Sequence, residues 1–335
     1  MKKLLDKNLL ELGKEAFDIK KSLYGDDVFF VKNVHLNHTN ICVNHCKFCA
    51  FAKDEGEEGS YEMSVEDVAR YLSDKASDCS EVHIVGGLHP SKPFEFYEDM
   101  IKCIKSNYPE LIVKAFSAVE IDYFSKISGL SVDSVLKRLK LAGLEMLPGG
   151  GAEILDEKIR NQICPEKIDA ERWIYIMEAA HNNGLKTNAT MLYGHLETEE
   201  DILGHLIKIK KLQSRTGGFS AFIPLSFHPE NTFLSHRLPV TGVEDLRVIA
   251  LSRIVLDNVP HIKAYWVMLG EKTAQVALNF GADDLDGTIV KEKITHAAGA
   301  KSKEGLTLEE LVFMIKSAGF NPVQRDAFYN EIKRY

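Results

Sequence analysis

The chain has 335 residues, 45% of them hydrophobic and 27% charged, with a formal net charge of −8, the make-up of an ordinary soluble globular protein. The acidic balance speaks against nucleic acid as the main partner, and no run of about twenty apolar residues is present to span a membrane. The start, MKKLLDKNLLELGKEAF, is basic but carries acidic residues where a signal peptide needs an apolar core, so a cytoplasmic location is expected.

Apolar residues at helical intervals from Leu4 to Tyr24 (Leu5, Leu9, Leu12, Ala16, Ile19, Leu23) predict an amphipathic helix, ended by Gly25-Asp26-Asp27. From there short β-rich runs alternate with longer helical runs, the pattern of a parallel sheet with crossover helices. The predicted strands are Phe30–Asn37, Glu81–Val85, Ile112–Ala118, Leu144–Leu147, Lys186–Leu192, Ala221–Ser226, Ile262–Val267 and Asp284–Leu285. The predicted helices between them include Ser64–Ala76, Pro93–Asn107, Ser131–Ala142, Ala170–Asn182, Glu199–Thr216 and Val243–Asp257. Ser64 with Asp67, and more weakly Ser131 with Ser134, mark helix starts, while Gly143 and Gly184 stand where a left-handed terminating residue is wanted. Eight strand–helix units predict an α/β fold, a (βα)8 TIM-type barrel over residues 30–300. An N-terminal helical segment, 1–29, and a C-terminal helical extension, 301–335, would flank it, the latter packed through Leu306, Leu308, Leu311 and Ile315.

The unusual residues fall at the C-terminal ends of the strands, the face where barrel active sites are built. Cys42, Cys46 and Cys49 follow the first strand in NHTNICVNHCKFCAFA, spaced C-x3-C-x2-C. Three thiolates in one short loop leave a four-iron cluster with one iron lacking a protein ligand, an open position where a small molecule can chelate. Zinc with His45 or His38 as fourth ligand is the alternative, and a disulfide with a spare thiol another. Phe48 and Phe51 give the loop apolar cover that limits solvent access to a redox cluster. Cys79, Cys103 and Cys164 show no ligand spacing and read as buried small hydrophobes.

Gly86-Gly87 after the second strand and Gly149-Gly150-Gly151 after the fourth let a ligand approach the backbone, unless they only make tight turns. Glu120, read as the end of the third strand, can accept hydrogen bonds from a ribose or an ammonium group. Asn188 and Thr190 alternate with Ala189 and Met191, giving the fifth strand one polar face. His195, His228, Arg237, Arg253 and Lys263 are candidate contacts for an anionic substrate, though each has an ordinary structural reading. Tyr265 and Trp266 are candidates for stacking on an aromatic ring, with core packing as the default.

The C-x3-C-x-Phe-C pattern resembles that of the radical S-adenosylmethionine (SAM) superfamily. The resemblance implies a 4Fe-4S cluster on Cys42, Cys46 and Cys49, whose open iron binds the amino and carboxylate groups of SAM. It further implies cleavage to a 5'-deoxyadenosyl radical, with electrons from a low-potential donor such as flavodoxin or ferredoxin. Gly86-Gly87-Leu88-His89-Pro90 resembles an altered form of the superfamily's Gly-Gly-Glu-Pro-like motif. On this reading Gly86, Gly87, Glu120, Gly150, Gly151, Asn188 and Met191 make up the cofactor-binding set.

Longer segments resemble the aminodeoxyfutalosine synthase family of the futalosine route to menaquinone. They are HTNICVNHCKFCAF, VGGLHP, KAFSAVEIDYF, LPGGGAEI, KTNATMLYGH, FIPLSFHPENT, DNVPHIKAYWVMLG and GADDLDGTIVKEKITHAAGA, in that order. That resemblance implies that SAM is consumed as a substrate. Its adenosyl radical adds to the enol-ether double bond of 3-((1-carboxyvinyl)oxy)benzoate, with rearrangement and decarboxylation. His228 and Arg253 are then the candidate catalytic residues, as contacts to the substrate carboxylates. The sister dehypoxanthine futalosine cyclase and the tyrosine-cleaving and deazaflavin-forming radical SAM enzymes remain options. A non-catalytic zinc or cluster carrier is an option of another class, against which motifs on six strands count, since a carrier needs one ligand loop.

Overall fold

A computed structural model describes residues 2–289 and 293–335; residues 290–292, within the stretch 281–300 quoted above, lie outside it. Among the described residues the core is a sheet of seven parallel strands in sequence order. They follow a short strand β1 (Asp27–Val31) and are β2 (Asn33–Leu36), β3 (Glu81–Ile84), β4 (Ile112–Ala115), β5 (Met146–Leu147), β6 (Lys186–Tyr193), β7 (Phe219–Ser226) and β8 (His261–Ile262). The sheet curls, and β9 (Asp284–Gly287) comes between its two ends. On one side Lys263 bridges Asp284, whose carbonyl accepts the Ala264 N–H at 2.8 Å. On the other, the Ile289 N–H donates to Asn33 Oδ1 at 3.1 Å and the Asn33 N–H to Thr288 Oγ1 at 3.3 Å. The result is the expected α/β, TIM-type architecture.

Local chemistry explains the helix starts. Asn8, Ser64, Ser117, Thr198, Thr241 and Thr307 each form a capping box with the acidic residue three positions on, satisfying two backbone donors at once. The first helical run divides there: Lys2–Leu5 is a short helix, and Asn8 caps Leu9–Tyr24.

Four expectations are corrected. The predicted strand Phe30–Asn37 is two strands, β1 ending at Val31 and β2 starting at Asn33. The third strand stops at Ala115, because Phe116 takes a left-handed φ of 65° and Ser117 caps a helix, Ala118–Ser128. The seventh predicted run, Ile262–Val267, shortens to β8, His261–Ile262, and Trp266–Leu269 is a helical turn. The C-terminal extension is not all helical: after Leu308–Ser317 come β10 (Asn321–Arg325) and β11 (Glu331–Arg334). Pro322 cannot continue a helix, and β10 pairs in parallel with β1, in a second sheet of order β11-β10-β1-β9. The N- and C-terminal segments are thus joined to each other. No helix of the described residues is long and apolar enough to cross a membrane.

The inside of the curl is charged where a barrel is usually aliphatic. Glu81 pairs with Lys114 at 2.5 Å, Lys263 with Asp286 at 3.3 Å and Arg325 with Asp284 at 2.6 Å, all buried. Removing one partner of such a pair costs far more than the pair contributes, because a charge is left without compensation.

Candidate active site

At the C-terminal end of the strands a cavity of about 330 Å³ runs from the cysteine loop to mid-strand side chains of β2, β3 and β9. Cys42, Cys46, Cys49, Phe48 and Phe51 line its rim; Gly86, Gly87, Glu120, Gly150, Gly151 and Thr190 line its wall; His35, His83 and Asp286 form its floor.

Backbone bonds from separate elements fix the cysteine loop. The Cys42 N–H donates to Lys53 O at 3.1 Å, Val43 N–H to Leu88 O at 3.0 Å and Lys47 N–H to Ile163 O at 2.8 Å. All six cysteines are free thiols, which disposes of the disulfide reading. The histidines offered as a fourth zinc ligand are elsewhere. His38 is buried behind Gly86, where a Cβ would lie 2.4 Å from its Cε1, and His45 faces Asp54 at 3.5 Å. Among the described residues no three His, Cys, Asp or Glu side chains converge as a single ion requires. Three thiols set around the rim of a cavity that opens away from them suit a larger cluster with one open iron. Burial pushes the Cys46 thiol up to about 12 and raises Cys42. Cys164 is buried as expected, but Cys79 and Cys103 are only half-buried.

The glycines serve two purposes. A Cβ on Gly87 would stand 2.1 Å from Ile41 O, one on Gly149 2.1 Å from Asn188 O, and one on Gly151 2.4 Å from Val119 Cγ2. These three let loops pack against one another. Gly150 differs: the nearest atom to a Cβ there is Ser117 Cβ at 3.7 Å, so its bareness faces the cavity. Gly87→Ala is therefore expected to destabilise the protein by about 1–3 kcal/mol and to lower iron content after reconstitution. Gly150→Ala should keep the melting temperature within a few degrees and weaken SAM binding. Calorimetry and iron analysis check both.

Glu120 lines the cavity from the first turn of a helix and not from a strand end. Its carboxylate accepts from the Ser117 N–H at 2.7 Å, the Ser117 hydroxyl at 2.8 Å and the Gly86 N–H at 3.2 Å. Burial nevertheless outweighs these bonds and raises its pKa from 4.5 to about 7. A proton held more tightly folded than unfolded stabilises fully below the unfolded value and ceases to do so as pH rises through the folded one. The ligand-free protein should thus lose stability, on the order of a few kcal/mol, between pH about 4.5 and about 7. Glu120→Gln should flatten that slope in denaturant titrations run across the range.

His228 lines the cavity, with Nε2 2.9 Å from Met268 O, so that this nitrogen carries the proton and donates. Tyr265 lines it also, whereas Trp266 is core, its N–H bonded to Gly287 O at 2.9 Å. Other candidates fall outside. Arg253 is buried at the opposite end of the barrel: its guanidinium pairs with Asp283 and donates to Gly281 O and Pro260 O at 2.9 Å. These residues precede β8 and β9, so Arg253 cannot reach the mouth. Met191 is on the helix-facing side of β6 with Tyr193, which donates to Asp245 at 2.6 Å. Asn188 shares the inner face with Thr190 but is buried beneath the cavity. His195 is buried against Glu197 at 3.0 Å, and Lys263 is held by Asp286. Arg237 is exposed and outside the lining.

The structure adds residues that carry no motif. Lys167 pairs with Glu153 at 2.5 Å beside the cysteine loop, its ammonium 4.9 Å from the centre of the Phe48 ring. His35 and His83 lie side by side at the floor, ring centroids 4.6 Å apart and planes inclined by 32°. Only the parity of Asn33, His35 and Asn37 along β2 hinted at this.

Residues 36–209 match the family model described as the Radical SAM superfamily, and residues 216–334 that of the CofH/MqnC C-terminal region. A Thermus thermophilus protein named aminodeoxyfutalosine synthase is 44% identical over 98% of this chain and 89% of its own length. A Methanococcoides burtonii protein named 5-amino-6-(D-ribitylamino)uracil–L-tyrosine 4-hydroxyphenyl transferase is 40% identical over 98% of this chain and 94% of its own. Among solved structures, methylornithine synthase has the same fold, with a TM-score of 0.76 at 17% identity, covering 96% of this chain and 92% of that one.

Proposed function

The chain belongs to the radical SAM superfamily, and within it we propose the aminodeoxyfutalosine synthase reaction. In that reaction the 5'-deoxyadenosyl group of SAM is joined to the enol-ether carbon of 3-((1-carboxyvinyl)oxy)benzoate, and rearrangement with loss of carbon dioxide gives 6-amino-6-deoxyfutalosine. The observation that carries the reading is the one cavity shared by the cysteine rim, the glycine-lined wall and an aromatic and imidazole-lined interior. The relative of that name, matched over nearly the whole chain, supports it.

Cys42, Cys46 and Cys49 would hold a 4Fe-4S cluster, which supplies the electron that cleaves SAM when a flavodoxin or ferredoxin reduces it in the cytoplasm. The protein's own part is positional. Gly150 would expose backbone to the adenosyl part of SAM, and Glu120, which holds the Gly86 N–H, would meet its ribose or ammonium group. Phe48, Phe51 and Tyr265 keep water from the reacting carbon. Holding the alkene beside the adenosyl carbon replaces a chance encounter by a fixed geometry. On this reading His228 at the mouth would meet the carboxylate of the enol ether as an imidazolium, through Nδ1–H, since its Nε2–H goes to Met268 O.

A second reading has its own support, the 40% identity to the tyrosine 4-hydroxyphenyl transferase. Anaerobic reconstitution, reduction and incubation with SAM separates the two. Mass spectrometry should find an adduct of adenosyl and benzoate that has lost carbon dioxide. Product formed only from tyrosine and the ribitylaminouracil would transfer the protein to the second activity. Free 5'-deoxyadenosine alone, with the benzoate untouched, would move the substrate to that of the sister cyclase.

A further inference from the structure

The cysteine loop has an inner and an outer side. Cys42, Cys46, Cys49, Phe48 and Phe51 line the cavity that SAM and substrate would fill. Val43, His45 and Lys47, set between the cysteines, are exposed. The radical reading proposed above needs an electron for each SAM cleaved, and the outer side is where a protein can deliver it.

Charge divides that outer side. Next to His45 runs Asp54-Glu55-Gly56-Glu57-Glu58, exposed throughout, with Asp54 3.5 Å from the His45 ring nitrogen. Next to Lys47 is the loop that follows β7, whose Phe233 N–H donates to Lys47 O at 3.0 Å. This loop is held in turns, with the Ser235 N–H on Thr232 O at 3.2 Å and the Arg237 N–H on Leu234 O at 2.9 Å. Leu234 is buried as its anchor, while Phe233 is 76% and Leu238 85% exposed. His236 and Arg237 between them are exposed as well. Large apolar side chains and an arginine raised together on one ordered loop have the composition of an interface centre.

We propose that an acidic one-electron carrier protein docks on Lys47, Phe233, Arg237 and Leu238; the proposal rests on the radical reading above. With a net charge of −8, the chain as a whole repels such a carrier. The acidic run beside His45 turns it away, and the cations beside Lys47 draw it in, so that the field selects one side of the loop. Phe233 then supplies the contact that excludes water. From its backbone the route inward is the hydrogen bond to Lys47 and the peptide link to Cys46.

The test uses the reconstituted holoenzyme with SAM and follows bleaching of the cluster absorption by stopped flow. One reductant is reduced flavodoxin, an acidic protein; the other is photoreduced deazariboflavin, a small neutral molecule that needs no docking site. Lys47→Glu with Arg237→Glu should slow reduction by flavodoxin about 10-fold or more and remove its salt dependence. Phe233→Ser should weaken saturation by flavodoxin about 10-fold. Glu55→Lys, on the acidic side, should not slow it. Reduction by deazariboflavin should be the same in all four proteins. Iron and sulfide analysis verifies that each is folded and loaded, and if Lys47→Glu impairs loading, Arg237→Glu alone carries the comparison. Unchanged flavodoxin kinetics in loaded Arg237→Glu and Phe233→Ser overturn the surface, as does equal slowing with both reductants or slowing in Glu55→Lys alone. Each of these leaves the radical reading intact. A wild-type protein that takes up no cluster overturns that reading and the proposal with it.

Discussion

Cys46→Ala protein, reconstituted with iron and sulfide, is expected to lack the visible absorption of a 4Fe-4S cluster and to release no methionine from SAM. Loss of an outer partner of a metal ligand costs roughly 10–100-fold in affinity; loss of a ligand from a site with only three must cost more. Cys46 is also the most deeply placed of the three, and burial lifts its thiol to about 12. Loading must therefore displace protons from Cys46 and Cys42, so reconstitution should be favoured as pH rises. Iron and sulfide counts against pH, in wild type and Cys46→Ala, check both halves. A variant that keeps stoichiometric iron and sulfide would show that the cluster is held elsewhere.

Arg253→Met should give the largest stability change of any residue first assigned to the site, a loss of about 3–5 kcal/mol, with no change in the affinity for SAM. The guanidinium meets Asp283, Gly281 O and Pro260 O, and Asp283 also receives His261 and the Ile262 N–H. Methionine fills the space but leaves a buried carboxylate short of its main cation. Burial alone would raise Asp283; Arg253 and His261 more than reverse this and hold it below its ordinary 3.8. A lowered carboxylate gives stability that is present above its unfolded pKa and lost as pH falls through the folded value. Wild type should thus lose stability on acidification below about 4, and Arg253→Met should lose less of it. Urea titrations at several pH values read this directly. A melting point within a degree or two of wild type would contradict the structural role.

What the sequence disclosed follows from what is local. The cysteine loop could be read because its three cysteines lie within eight residues of one another, and the helix starts because a capping box spans four. Glu120 carries a local signal of its own, since Ser117 and Glu120 are themselves a capping box, masked by the apolar run before them. The alternation on β6 puts Met191 opposite Asn188 and Thr190, and because Thr190 and Leu192 line the cavity, its place in the cofactor-binding set fails. Arg253 was beyond reach, because helical spacing says which face a residue is on and nothing about which end of a barrel it approaches. His35 with His83, like Lys167 with Glu153, becomes a unit only through strand register or a salt bridge that crosses a loop.

The pairing of β1 with β10 brings Asp27 opposite Asn321, which bears on how the molecule is made. During synthesis β1 emerges early and waits for nearly the whole remaining chain before its partner exists. A contact of that sequence separation is slow to form and leaves an open strand edge meanwhile. The segment that carries the cysteines and glycine loops, by contrast, is assembled from consecutive strands and can organise as it appears. The second sheet is then a late clasp on a ring already formed, and the nascent protein's exposure to aggregation ends only when that clasp shuts.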